Sequence, residues 1–322
     1  MRKLIHAVAA CLMAATFSAC SAEEHSRCVV LAEQKYHNLA IANVDTGEIE
    51  WTWDISRSGV RPEHQAWFTH PNEVKPIYNG ECLLVVHDNV IGIIRRSDHK
   101  VLWYAYSGGG VPHSAELLPD GNVVVVYSTV DFTVEHRDKM RIFKVDYDNF
   151  PADDAMVAQY ELKSGHNAVW DRQNNVLWAT AYNVVNRYSY EVRDGRPALK
   201  IQKTIYMPEG AVDVHDMIPV YGERKLWITT SDRLYRFDPD KETFERVELP
   251  EDLIHLKSIS SGPEGYPAIV LKPAVRWISN VLLDLDGNPV YTAPEDFEIY
   301  KGRWMVDNTF SYPEKHPMPE IH

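Results

Sequence analysis

The sequence predicts an all-β fold, a six-bladed β-propeller whose ring is closed by strands from both termini. Three observations carry this. First, five segments share one frame: an anchor residue, a hydrophobic strand and a polar turn about eight residues on. They are Asn72-Glu-Val-Lys-Pro-Ile-Tyr-Asn-Gly, His113-Ser-Ala-Glu-Leu-Leu-Pro-Asp-Gly-Asn, His166-Asn-Ala-Val-Trp-Asp, His215-Asp-Met-Ile-Pro-Val-Tyr-Gly and Lys257-Ser-Ile-Ser-Ser-Gly. Second, the anchors are 41, 53, 49 and 42 residues apart, a period that fits a repeated four-stranded unit. Third, short apolar runs between polar turns fill the chain, and no long amphipathic helix interrupts them.

The elements follow in order. Cys28-Val-Val-Leu-Ala, Asn38-Leu-Ala-Ile-Ala and Glu48-Ile-Glu-Trp-Thr-Trp give blade one three strands within 28–56. Its missing inner strand is expected from Phe297-Glu-Ile-Tyr-Lys-Gly-Arg-Trp-Met, which would leave no free sheet edge at the seam. Blade two spans 70–107, with Leu83 to His87 and Val90 to Arg95 as its central hairpin. Blade three spans 111–162, with Asn122 to Tyr127 as second strand. His136 to Met140 and Asn149 to Ala155 read there as loop and explain the longest spacing. Blades four, five and six span 164–208, 212–250 and 254–293, with second strands at Leu177–Tyr182, Lys225–Thr230 and Ala268–Leu271. A seventh blade would need about forty more residues.

The N-terminus reads as a targeting segment. Arg2 and Lys3 precede an apolar run from Leu4 to Phe17, of signal-peptide length and too short for an ordinary membrane span. Small residues then lead into Cys20, which resembles the lipidated cysteine of a bacterial lipoprotein. The expected organisation is a leader at 1–19, a tether at 20–27, the propeller at 28–308 and a tail at 309–322. The protein is thus expected in the cell envelope, extracytoplasmic, touching the membrane only through its lipid, and monomeric.

The chain carries a net charge of −13, and losing Arg2 and Lys3 with the leader makes it −15. Nucleic-acid binding, which needs cationic neutralisation of phosphates, is excluded on that ground. Cys28 and Cys82 remain in the mature chain, either as one disulfide or as two buried thiols. Their spacing fits neither a zinc ribbon nor a redox CxxC motif.

Asn72-Glu-Val-Lys75, Pro112 to Asn122, His166 to Asp171 with Leu177-Trp-Ala, His215-Asp-Met-Ile-Pro-Val with Leu226-Trp-Ile-Thr-Thr, Lys257-Ser and Tyr300-Lys301 together resemble a family of secreted six-bladed propellers, a domain of unknown function found in Bacteroidota and Gram-positive bacteria. The resemblance covers nearly all of 28–307 and implies the fold and secretion, but no activity. Arylsulfotransferase-type and quinoprotein-type propellers, and propeller polysaccharide lyases, are similar more distantly.

Equivalent positions in successive blades form a ring, so His113, His166 and His215 should meet at one end of the central channel. Neutral imidazoles suit general acid–base catalysis near neutral pH, which makes the three the catalytic candidates. They also suit a divalent metal, although no carboxylate is clearly in register. Asp216 and Asp213 are the nearest acids, and Asp216 should point the other way along its strand. Asn72, Glu73, Lys75, Lys257 and Lys301 are the candidate ligand-binding residues; an interblade salt-bridge ring is the structural alternative for Glu73 and Lys75. Tyr182, Arg187 and Tyr188 form a possible proton-abstracting set, while Trp103, Trp170, Trp178 and Trp227 should pack between blades. There is no nucleophile elbow, phosphate loop or HExxH motif. The expected function is binding of a small ligand, a glycan or glycan fragment, over the histidine-lined channel. The alternatives are a lyase or hydrolase acting on an anionic sugar at that place, and a non-catalytic scaffold for protein partners.

Overall fold

The computed structural model describes residues 26–128 and 139–321. The leader, Cys20 and most of the tether lie outside the described residues. Six four-stranded antiparallel sheets form the six blades. From the axis outward, blade one orders Ile299–Trp304, Cys28–Glu33, Asn38–Asn43 and Ile49–Thr52. The chain's last strand is therefore the innermost of the first blade, as expected. Val29 pairs with Trp304 and Leu31 with Gly302 across this seam. Gly302 is required by close approach, because a Cβ there would lie 2.9 Å from the Leu282 side chain of blade six.

The inner strands of blades two to six are Pro71–Ile77, Val111–Leu117, Asn167–Asp171, Asp216–Pro219 and Ser258–Ser260. We call the end where inner strands begin the upper face and the end where they finish the lower face. Second strands such as Cys82–His87 and Val123–Ser128 are buried along their whole length. They are sandwiched between neighbouring blades, which favours runs of β-branched residues over alternation. Between blades two and three, for example, Leu84, Ile91, Ile93 and Trp103 pack against Ala115, Val123, Val125 and Tyr127. Trp103, Trp170, Trp178 and Trp227 are all buried in such interblade layers.

Of the expected loop from His136 to Met140, residues 136–138 lie outside the described residues, and Lys139 and Met140 are strand. Lys139–Phe143 is the third strand of blade three, and Met140 within it is buried. Two charged residues disguise it. Lys139 pairs with Glu161, and Arg141 donates to the carbonyls of Ser107 and Gly109 and to Gln159 Oε1, so the polar ends of both side chains are satisfied. No disulfide joins Cys28 to Cys82: Cys82 is a buried free thiol, pushed up to about 12 by desolvation. Beyond Trp304 the chain crosses the lower face, where Phe310 and Tyr312 are buried and Met318 and Ile321 pack against blades two and three. Among the described residues no helix is long and apolar enough to cross a membrane.

Candidate functional site

The upper mouth of the channel gathers anchors from five blades. Asn72 and His113 sit at register shifts in their inner strands, between Pro71 and Glu73 and between Pro112 and Ser114. Such bulges re-aim a side chain out of the ladder. His166, His215 and Lys257 lie just before their inner strands, yet their N–H groups still bond the second strand, at Thr180, Thr229 and Leu271. The common frame in sequence thus becomes a common height at the channel.

The rings of His113 and His166 stack with centroids 4.5 Å apart, and His215 meets His166 edge-on at 5.4 Å. Tyr300, from the C-terminal strand, brings its hydroxyl 3.1 Å from His113 Nδ1. Lys257 Nζ lies 3.0 Å from His215 Nδ1 and 5.8 Å from the centre of the Tyr300 ring. His166 Nδ1 donates to the Ser164 carbonyl at 3.1 Å, so Nε2 is its basic nitrogen. His215 Nε2 lies 3.3 Å from Asp213 Oδ2, which also accepts from the Ser231 hydroxyl at 3.1 Å. Asp213 holds a left-handed backbone, φ 58°, a conformation tolerated by aspartate better than by most residues.

All three imidazoles are held neutral. Burial, then the charge of Lys257, takes His166 and His215 down to about 3. Burial and then His166 push His113 well below the ordinary histidine range. Lys257 is itself lowered to about 8, by burial first, with Lys301 adding repulsion and Asp213 opposing it.

One residue deeper the channel is filled by ions. Glu73 accepts from Lys301 Nζ at 3.0 Å and from Arg303 Nη2 at 3.0 Å. Asp216 accepts from Arg303 Nη1 at 2.5 Å, Asn167 Nδ2 at 2.6 Å and the Ile259 N–H at 2.9 Å. Burial would raise both carboxyls, but Arg303 and then Lys301 hold them low, Asp216 at about 2. Lower still, Lys75 Nζ pairs with Glu116 at 2.9 Å and donates to the Ala168 carbonyl, and Tyr312 donates to Glu116. Two carboxylates face two cations in the middle layer, and one faces one below it. At the lower end a cavity of about 240 Å³ opens beneath blades five and six. Its cations Lys75, Arg224 and Arg303 are paired with carboxylates, whereas Lys257 at the upper mouth lies against an imidazole.

The structure therefore brings together His113, His166, His215 and Lys257. It places Glu73, Lys75 and Lys301 in the buried ion ladder, below the upper mouth, so the salt-bridge alternative describes Glu73 and Lys75, and Lys301 joins them. Asn72 stands at the mouth with its amide occupied: Nδ2 donates to Asp88 and the Pro112 carbonyl, and Oδ1 accepts from Gln34. Asp216 points into the ladder, as strand alternation requires. Tyr182, Arg187 and Tyr188 do not form a set. Tyr188 is buried between blades three and four, Arg187 pairs with Glu242, and Tyr182 is exposed.

Sequence reasoning missed Asp213 as a partner of the histidines, Tyr300 as their hydrogen-bonding neighbour, and Arg303 as the hub of the ladder. It also missed Trp277, 43% exposed, whose Nε1 donates to Gln34 Oε1 at 3.2 Å, one amide from Asn72. His166, Asp213 and His215 each offer one ligand atom, all within 4.8 Å of one another, and could hold a divalent cation. The Lys257 amine beside His215 opposes a second positive charge there. Neutral imidazoles with a lysine at their edge better suit an anion or a proton transfer.

Fold and mouth together define a six-bladed β-propeller with a polar histidine–lysine cap on a charge-filled axis. The chain belongs to a family of unknown function, DUF6528, whose model matches residues 7–319. Among solved structures it is similar to a protein of unknown function from Bacteroides caccae, at 12% identity and TM-score 0.56, over 88% of this chain and 100% of that one. A chain of the nidogen/laminin complex is similar at 12% identity and TM-score 0.56, over 87% and 98%. A candidate 6-phosphogluconolactonase from Bacteroides uniformis is similar at 11% identity and TM-score 0.54, over 87% and 100%. At these identities the likeness concerns the fold alone. No curated protein matches the chain.

Proposed function

We propose that the protein binds a small acidic saccharide at the upper mouth, with the ligand's carboxylate on Lys257 and a sugar face on Trp277. It does so as a monomer held by a lipid on Cys20 at an extracytoplasmic surface. The observation that carries this reading is the state of Lys257. Lys75 and Lys301 each have a carboxylate within ion-pair distance. Lys257 has a neutral imidazole instead, and the acid beside that imidazole, Asp213, also accepts from the Ser231 hydroxyl. A buried cation without a counterion is stabilised by an anion that arrives from solution. The exposed indole supplies the apolar face that sugar rings stack on.

The test is titration calorimetry of the mature domain with galacturonate and glucuronate oligomers and with their neutral counterparts. The acidic oligomers bind, the neutral ones bind more weakly, and Lys257→Met weakens the acidic ligands by about ten- to a hundredfold, the worth of one charge-assisted hydrogen bond. Equal binding of acidic and neutral oligomers sinks the reading. Mass spectrometry of the mature N-terminus tests the lipid on Cys20.

A second reading is a lyase at the same mouth, favoured by one observation: His166 keeps a basic nitrogen while its other nitrogen is fixed by Ser164. Such a nitrogen can accept the proton next to a carboxylate held by Lys257. Ultraviolet absorbance of an unsaturated product, lost in His166→Ala, separates catalysis from binding.

A further inference from the structure

The cavity at the lower end is a second site, independent of the upper mouth. Its charged lining groups are engaged elsewhere. Lys75 and Glu116 pair with each other, Arg224 with Asp171 and Asp240, and Glu223 with Arg236. An anion entering the cavity would find no free cation, and losing its hydration would be uncompensated; the remaining charged lining group, Asp307, is exposed at the rim and accepts from the Asn79 amide at 3.2 Å.

The neutral groups are different. Ser261 Oγ accepts from the Tyr221 N–H at 3.0 Å and from Trp227 Nε1 at 3.0 Å. A serine hydroxyl has two lone pairs and one hydrogen, so both acceptor positions are filled and the O–H is left purely as a donor. Among the described residues it meets no acceptor. Tyr312 is the reverse: its hydroxyl hydrogen goes to Glu116 at 2.9 Å, so any further hydrogen bond it makes is accepted by the phenol oxygen. A ligand that accepts at Ser261 and donates at Tyr312 carries groups that do both, and hydroxyls do both. Tyr221, 38% exposed at the rim, and Phe310 add aromatic faces. At about 240 Å³ the cavity falls below the roughly 300–1,000 Å³ of drug-sized sites, so it takes one ring and not a chain.

From this we infer that the lower cavity binds one uncharged, hydroxyl-rich ring of monosaccharide size, held by Ser261 and Tyr312.

The experiment is ligand-observed NMR titration of the intact mature domain with D-xylose, D-glucose and D-glucuronate, on the wild type and on Ser261→Ala, Tyr221→Ala and Lys257→Met. Xylose or glucose is expected to bind with a dissociation constant of about millimolar, the ordinary strength for so small a polar ligand. Ser261→Ala weakens it about tenfold, the worth of one hydrogen bond, and Tyr221→Ala weakens it severalfold. Lys257→Met leaves neutral-sugar binding unchanged and weakens glucuronate. Because Ser261 also anchors two N–H groups, Ser261→Ala could fail to fold; Tyr221→Ala, on an exposed rim, then decides. The inference is overturned if neither neutral sugar binds at about 100 mM, a concentration far above any useful affinity. It is equally overturned if binding survives Tyr221→Ala undiminished, or if Lys257→Met abolishes it. The last result would place the sugar at the upper mouth.

Discussion

The middle of the channel and its upper mouth are built from similar residues and differ in one respect. In the middle, Glu73 and Asp216 are clamped by Lys301 and Arg303, and every charge has a partner. At the mouth, one layer above, Lys257 leans on a histidine, and among the described residues no carboxylate stands within ion-pair distance. Burial costs both layers alike, so the matched layer explains itself through the fold and the unmatched one does not. Charge balance thus separates structure from candidate function better than residue type does, since both layers contain a lysine facing the axis.

Breaking the matched layer should have the largest effect. Arg303→Met removes the hub and leaves two buried carboxylates sharing Lys301. The expected loss is about 3–5 kcal/mol of folding stability, the usual result of removing one partner from a buried pair. Denaturant melts measure it. A loss near zero would mean that the ladder contributes nothing, and that the middle and the mouth are not different after all. Lys257→Met, by contrast, should leave the melting temperature unchanged or raise it slightly, because it removes a buried charge with no partner.

The pH dependence of ligand binding sharpens the same contrast. Lys257 is cationic below about 8, so binding of an acidic oligomer should weaken as pH rises above that value. Ordinary histidines at the mouth would add positive charge, and affinity, below pH 6.5. Here His166 and His215 are held near 3, so binding should stay flat between about pH 5 and 7. Calorimetry across this range would show a rise below pH 6.5 if the imidazoles were free to protonate.

Stability at acid pH has a separate source. His87 is buried against Trp53 and Phe68, and neither of its ring nitrogens makes a hydrogen bond of ordinary geometry; Thr69 offers the nearest backbone partner. Burial lowers it from 6.5 to about 3. A histidine with a depressed folded pKa contributes its full stability above pH 6.5 and loses it as pH falls toward 3. By pH 5 the loss is about 2 kcal/mol, at 1.36 kcal/mol per unit. Asp216 and Glu73, whose pKa values are also lowered, contribute above their unfolded values and lose stability only below about pH 4. His87→Leu should therefore make the fall between pH 6.5 and 5 shallower without abolishing it, because His113, His166 and His215 are lowered in the same direction, and should leave the steeper fall below pH 4 in place. Comparing slopes cancels any packing change from the substitution.

The repeat made much of this legible in advance. Anchors, turns and second strands recur at one period because each blade solves the same packing problem, and the closing strand was expected because blade one lacked its inner member. The strand at Lys139–Phe143 escaped because Lys139 and Arg141 occupy buried positions, which a sequence pattern reads as surface. Pairings across the axis were not legible. Glu73 and Arg303 are 230 residues apart, and nothing in either segment announces the other. The lower cavity escaped for another reason: one wall comes from the segment after Trp304, which belongs to no repeat. Trp277 resembles the packing tryptophans in sequence, and only its position in a blade-six loop leaves it exposed.

That tryptophan carries the smallest and most discriminating prediction. Its indole N–H donates to Gln34, which in turn holds Asn72. It could act on a ligand by stacking, or act only by tethering the rim. Trp277→Ala removes both and should weaken acidic oligomers severalfold, about 1 kcal/mol for one aromatic contact. Trp277→Phe keeps a ring and removes the donor. If phenylalanine restores most of the affinity, the ring face is what the ligand uses, and the mouth extends beyond Lys257 onto blade six. If phenylalanine behaves like alanine, the hydrogen-bonded chain to Asn72 is what matters, and the site contracts to the histidine–lysine cap.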